Sequence, residues 1–187
     1  MVRHADPNAD AAACAAIYEP YVIDHPASFE EQPPTASQMA VRIERVSTTH
    51  AWLVAERDGE VAGYAYASPH RDRRAYRWAA DVTVYVAADH HRQGVGRELY
   101  EALFELLRRQ RLRVAVAGIT LPNAGSVGLH EALGFELVGV YRRIGWKAGS
   151  WRDVGWWELQ LARHTESAAG SDGAPPEPLG PQRLDRQ

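Results

Sequence analysis

An aspartate set among alternating valines is the first place where this chain could do chemistry. In Ala79-Ala80-Asp81-Val82-Thr83-Val84-Tyr85-Val86 a period of two puts Ala80, Val82, Val84 and Val86 on one face and Asp81, Thr83 and Tyr85 on the other. A strand with that pattern carries a carboxylate at a fixed place. Just beyond it, His91-Arg92-Gln93-Gly94-Val95-Gly96 leads into a helix whose Leu99, Leu103, Leu106 and Leu107 make one apolar stripe. Glycines at 94 and 96 allow close approach to the backbone, and the free N–H groups and dipole of a helix start attract anionic oxygen, so a pyrophosphate would fit there. A plain strand-to-helix turn would show the same Gly-x-Gly. Leu99 occupies the place of the third glycine of a dinucleotide turn, and the Gly-Lys-Ser or Gly-Lys-Thr of a triphosphate loop is missing, so both of those readings fail. Ahead of the strand, His70-Arg71-Asp72-Arg73-Arg74-Ala75-Tyr76-Arg77 is densely positive. Arg71 and Arg73 could grip a carboxylate bidentately while Tyr76 lends a hydroxyl; a solvated basic loop is the alternative.

The elements that must hold these groups can be read from the same patterns. Val2 to His4 suits a short strand, and Asp6-Pro7 is an N-cap followed by proline at the first helical position, which predicts a helix running to about Asp24. After a loop from Asp24 to Pro34, a second helix is predicted from Thr35 or Ser37, with Met39, Ile43 and Val46 at helical spacing. Ala51–Arg57 and Glu60–Ser68 read as strands joined at Asp58-Gly59, a dipeptide that tolerates positive φ and suits a tight hairpin.

With 187 residues and 45% hydrophobic composition, the chain suffices for one domain, expected over residues 1–163. Residues 164–187, rich in Gly, Pro, Ser, Asp and Arg, are expected to form a disordered tail. A net charge of -3 without a basic stripe argues against a nucleic-acid partner. The lone Cys14, in an alanine-rich helical stretch, excludes an internal disulfide and is expected to be buried and inert. No stretch approaches the ~20 apolar residues of a membrane span and no leader pattern opens the chain, so a cytoplasmic, membrane-free protein is expected.

His91-Arg92-Gln93-Gly94-Val95-Gly96 resembles the Gln/Arg-x-x-Gly-x-Gly/Ala signature of the GNAT superfamily of acyl-coenzyme A N-acyltransferases, departing at His91. Asn123, Ser126-Val127, Leu129-His130 and Leu133-Gly134-Phe135 resemble the second motif of that superfamily, in the right order. The likeness narrows further: Trp52-Leu53-Val54-Ala55-Glu56, Ala75-Tyr76-x-Trp78, Thr83-Val84-Tyr85-Val86, Leu121-Pro122-Asn123, His130-Glu131-Ala132-Leu133-Gly134 and Trp151-x-Asp153-Val154-Gly155-x-Trp157 resemble phosphinothricin N-acetyltransferases over residues 2–162. Relatives of that kind acetylate the α-amino group of phosphinothricin, methionine sulfoximine or methionine sulfone.

The resemblance implies an α/β (α+β) fold with a mixed, mostly antiparallel sheet of six or seven strands flanked by helices. The sheet would splay beside Val84, Tyr85 and Val86 so that the pantetheine arm of acetyl-CoA pairs as an added strand. Arg92, Gln93, Gly94, Val95, Gly96 and Arg97 would hold the pyrophosphate, with Asn123 nearby. Asp81 would be the general base, since an amino acid's amine is mostly protonated at neutral pH and must lose a proton before it attacks a thioester. The matching position in these relatives is usually glutamate, one methylene longer. His130 would be an acid toward the leaving sulfur or an orienting donor, or else a satisfied core histidine. A backbone N–H freed by a strand irregularity within Thr83–Val86 would stabilise the oxyanion. Arg71, Arg73, Tyr76 and Lys147 would bind a small-molecule acceptor, the chains would pair as homodimers, with Trp151, Trp156 and Trp157 in the core or at the interface, and neither a metal nor a covalent acyl-enzyme is expected. Acetylation of a protein N-terminus or another amine, and a non-catalytic acyl-CoA-binding module, remain as alternatives.

Overall fold

The computed structural model describes residues 1–162 and 175–181. Along the chain the elements are β1 (Val2–His4), α1 (Ala11–Ile23), α2 (Ala36–Ser47), β2 (Trp52–Arg57), β3 (Glu60–Pro69), β4 (Ala79–Val86), α3 (Val95–Arg109), β5 (Val114–Leu121), α4 (Ala124–Ala132), β6 (Glu136–Lys147) and β7 (Ser150–Gln160). The strands form one seven-stranded sheet in the order β1-β2-β3-β4-β5-β7-β6, parallel only at β4–β5. This is the mixed sheet that the resemblance implies.

Alternation along β2 shows how the sheet divides the core. Leu53 and Ala55 join Leu99, Leu103 and Leu107 of α3 on one face, while Trp52 and Val54 join Cys14 and Val22 of α1 and Met39 and Ile43 of α2 on the other. Cys14 is fully buried there, and burial pushes its thiol up to about 12, which keeps it protonated. The hairpin dipeptide behaves as its chemistry requires, with φ of 51° at Asp58 and 85° at Gly59. Thr35 caps α2 with a reciprocal box: its hydroxyl accepts from Gln38 N–H at 3.3 Å and its N–H donates to Gln38 Oε1 at 2.9 Å.

One expectation is displaced. The first helix starts at Ala11 rather than at Pro7, because Asp6-Pro7 builds a turn in which Asp6 accepts from Asn8 N–H at 2.8 Å. Asp10 then precedes the helix, and its carboxylate takes Arg3 of β1 at 2.7 and 2.8 Å instead of capping. Residues 175–181 lie against the sheet end: Trp78 Nε1 donates to Pro176 O at 3.0 Å, Arg77 pairs with Glu177 at 2.9 Å, and Leu179 N–H donates to the Gln110 carbonyl at 2.9 Å. These contacts use backbone groups and one carboxylate, which composition does not reveal. The rest of the expected tail lies outside the described residues.

The feature that positions the site is the way β4 and β5 separate. They pair only from Ala79–Val114 to Asp81–Val116, although β4 continues to Val86 and β5 to Leu121. Meanwhile β4 keeps its register with β3 from Pro69–Ala80 to Gly63–Val86 without a shift. Ala87 N–H bonds Ala62 O on the β3 side, so alternation turns the N–H and C=O groups of Val82, Val84 and Val86 toward the opening. The irregularity expected within the strand is absent; divergence from β5 frees the donors instead.

Candidate active site

Between the parted strands lies a cleft of about 820 Å³, lined by Val82–Val86, the turn before α3, the end of β5 and the start of α4. It gathers most of the residues expected to hold a coenzyme: Val84, Tyr85, Val86, Arg92, Gly94, Val95, Gly96, Arg97 and Asn123 all line it. Gln93 does not, since its amide donates to Asp89 O at 2.6 Å and braces the turn. Tyr85 contributes backbone here; its ring packs edge-on against Tyr18 and Tyr21 at 4.8 and 4.9 Å beneath α1.

The turn has the conformation an anion receptor needs. Gly94 is the α3 N-cap at φ 84°, in the left-handed region, and no side chain caps the helix start, so its first N–H groups stay available. A Cβ on Gly96 would meet Leu129 of α4 at 3.1 Å and Val86 at 3.7 Å, so the glycine lets α3 approach both walls of the cleft. His91, the departure from the motif, ties the turn down: its Nε2 lies 2.9 Å from Tyr21 Oη and 3.0 Å from Val86 O, and the Tyr21 hydroxyl donates to the same carbonyl at 2.7 Å. Asn123 caps α4 by accepting from Ser126 N–H at 3.1 Å, leaving its amide NH2 without a partner among the described residues. These groups suit a ligand with an anionic pyrophosphate and an extended amide-bearing arm.

Asp81 sits at the last paired position before the strands part, on the sheet face it shares with Thr83 and Tyr85. Its Oδ1 lies 2.6 Å from His70 Nδ1, a partner that the sequence reading missed. Burial raises the Asp81 carboxyl above its ordinary value, while the His70 contact and the Arg71 charge act the other way. Tyr76 stands edge-on to His70 at 5.8 Å, and the Arg71 guanidinium lies 5.8 Å from the Trp156 ring centre. The structure therefore brings Tyr76 to the His70 ring and the Arg71 charge within reach of the carboxylate. Arg73 flanks the turn as an exposed residue without a side-chain partner among the described residues. Lys147 goes elsewhere, donating to the Glu30 carbonyl, whose carboxylate in turn holds Arg42 at 2.7 and 2.8 Å. A second cleft of about 780 Å³, lined by Glu30, Arg42, Tyr66, Ser68 and Tyr85 among others, opens on that side of the sheet.

His130 is 3% exposed, with both nitrogens engaged. Nδ1 donates to the Ser126 carbonyl at 2.7 Å, so in the neutral ring Nε2 accepts from the Tyr100 hydroxyl at 3.0 Å. Burial lowers its pKa against the opposing pull of the Ser126 carbonyl, which disfavours the imidazolium that an acid would require. The geometry fits an orienting or core histidine better than a proton donor. Neither His70 nor Tyr21 carries a local signal: residue 70 reaches Asp81 only because β3 and β4 pair in the observed register, and Tyr21 reaches the turn only because α1 packs beneath β4.

A family model described as an acetyltransferase (GNAT) domain matches residues 4–156, and the chain belongs to that family. It is 41% identical over 173 residues to the phosphinothricin N-acetyltransferase of Streptomyces viridochromogenes, covering 92% of this chain and 90% of that protein. It is 35% identical over 164 residues to the L-methionine sulfoximine/L-methionine sulfone acetyltransferase of Salmonella typhimurium, covering 87% and 95%. Among solved structures, a GNAT superfamily phosphinothricin acetyltransferase from Sinorhizobium meliloti in complex with AcCoA superposes with a TM-score of 0.85 at 32% identity, covering 94% of this chain and 95% of that one.

Proposed function

We propose that the protein transfers the acetyl group of acetyl-CoA directly to the α-amino group of a small amino-acid analogue of the phosphinothricin, methionine sulfoximine or methionine sulfone type. The observation that carries this reading is the parting of β4 and β5 just after Asp81, which sets that carboxylate next in the strand to Val82, the first residue lining the cleft. Relatives with those substrates in their names align over most of the chain and support the acceptor class.

Acetyl-CoA supplies an activated thioester carbonyl. The α3 start and the Gly94 turn hold its pyrophosphate, and the outward N–H groups of Val82, Val84 and Val86 pair with the pantetheine arm and donate to the carbonyl oxygen as charge builds on it. Arg71, Arg73 and Tyr76 hold the anionic end of the acceptor. Asp81 provides the basic charge that removes the ammonium proton, directly or through a group bound to it, a role worth about 10²- to 10⁴-fold. Lys147 supports the acceptor side by bracing the Glu30 loop, and His130 holds α4 against Tyr100.

The chain pairs with a second copy through β6, in keeping with its expected homodimer. Supporting this is the apolar character of that edge strand and its neighbour: Leu137, Val138, Tyr141, Ile144, Trp146 and Trp151 are all exposed. Of the other tryptophans in β7, Trp157 is buried in the core and Trp156 is half-buried beside His70.

Free-thiol release from acetyl-CoA across a panel of phosphinothricin, methionine sulfoximine, methionine sulfone and short peptides tests the activity. The amino-acid analogues should turn over, and Asp81→Asn should lower kcat by about 10²-fold while leaving coenzyme affinity near that of the native enzyme. Preferential turnover of the peptides would replace the acceptor class. Binding of acetyl-CoA without any thiol release would leave only a binding module.

A further inference from the structure

We propose that His70 and Asp81 form a two-residue base in which the imidazole Nε2 takes the proton from the acceptor's ammonium group and Asp81 holds the ring. This rests on acetyl transfer to an amine at this site and goes beyond it by assigning the proton to a residue outside both family motifs.

The hydrogen-bond geometry sets the tautomer. A carboxylate only accepts, so the 2.6 Å contact from Asp81 Oδ1 places a hydrogen on His70 Nδ1 and leaves the lone pair of the neutral ring on Nε2. Among the described residues no hydrogen bond reaches Nε2. The ring is confined edge-on by Tyr76 at 5.8 Å and Trp156 at 6.4 Å, which leaves it little freedom to turn. Both partners keep access to solvent, with side-chain exposures of 17% for His70 and 30% for Asp81. His130 is the useful contrast, since it is nearly sealed and both of its nitrogens are engaged.

Reach points the same way. Aspartate is a short side chain, and one of its oxygens is already committed to the ring, so the imidazole extends the basic site outward from the strand. In the step, an N–H bond of the ammonium breaks, its electron pair stays on nitrogen, and an Nε2–H bond forms; the imidazolium then passes the proton to water. The charged groups facing the pair are Asp81 itself and Arg71, which lies beside Trp156; the Tyr76 and Tyr66 hydroxyls are the other titratable neighbours. Tyr76 and Arg71 also belong to the turn expected to hold the acceptor, which sets the base beside its substrate.

His70→Asn keeps a donor for Asp81 but cannot take a proton. It should lower kcat by about 10²-fold with coenzyme affinity and acceptor KM little changed, and the acid limb of kcat/KM should move to lower pH, toward a carboxylate. Adding Asp81→Glu to that variant should recover about tenfold or more, because the longer carboxylate reaches the amine unaided. In His70→Ala, free imidazole in the assay buffer should restore turnover in proportion to its concentration. Native kcat in His70→Asn, an unmoved acid limb, or no response of His70→Ala to imidazole would each overturn the proposal. Failure of the native enzyme to release thiol with any amine would instead remove the acetyl-transfer reading beneath it.

Discussion

Replacing Gly94 with alanine isolates backbone conformation from bulk. A Cβ at that position meets nothing within 4 Å, so the substitution adds no clash, yet Gly94 sits at φ 84° and ψ -5°, where an L side chain crowds its own carbonyl. That strain is worth about 1–2 kcal/mol and must show in one of two measurements. If the turn keeps its shape without ligand, the protein loses stability, and the thermal midpoint should drop by about 2–8 °C for a chain of this size. If the turn relaxes when empty and is forced back by the coenzyme, the midpoint should hold and the acetyl-CoA Kd by calorimetry should rise about 5- to 30-fold. The two losses together should come to about 1–2 kcal/mol, and Gly94→Asn, which tolerates the left-handed region better, should lose less. Gly96→Ala serves as the control, since its Cβ at 3.1 Å from Leu129 acts through packing rather than through φ. Native values for both midpoint and Kd in Gly94→Ala would refute the assigned role of the turn.

Arg73→Gln should raise the KM for an anionic acceptor by about 10-fold or more, the worth of a charge-assisted hydrogen bond, and that for a neutral analogue far less; equal effects would argue against an anion site on the 70–77 turn. Truncation after residue 174 removes the Glu177 pair with Arg77, the Pro176 carbonyl bonded to Trp78 and the Leu179 contacts with Gln110. It should lower the midpoint of chemical unfolding and raise the acceptor KM as the turn loosens, whereas unchanged values for both would mean that the docked segment holds nothing in place.

What the sequence determined by itself are the features whose cause is local. The Thr35 capping box, the positive-φ Asp58-Gly59 hairpin, the alternation of β4 and the leucine stripe of α3 each follow from a few adjacent residues, and each appears where the pattern places it. The Gly94 turn was legible for the same reason, because its glycines, the strand before it and the helix after it are contiguous. Tertiary structure alone decided the rest. Asp10 does not cap α1 because Arg3, in another element, claimed its carboxylate. His91 found its role through Tyr21 of α1, Lys147 was drawn to the Glu30 carbonyl, and His130 was sealed against Tyr100. Above all, the pairing of His70 with Asp81 and the opening where β4 leaves β5 are properties of strand register and divergence. Local patterns fix which way a side chain faces along its own strand or helix; which distant group it meets depends on how the elements pack, and that is where this site acquires its chemistry.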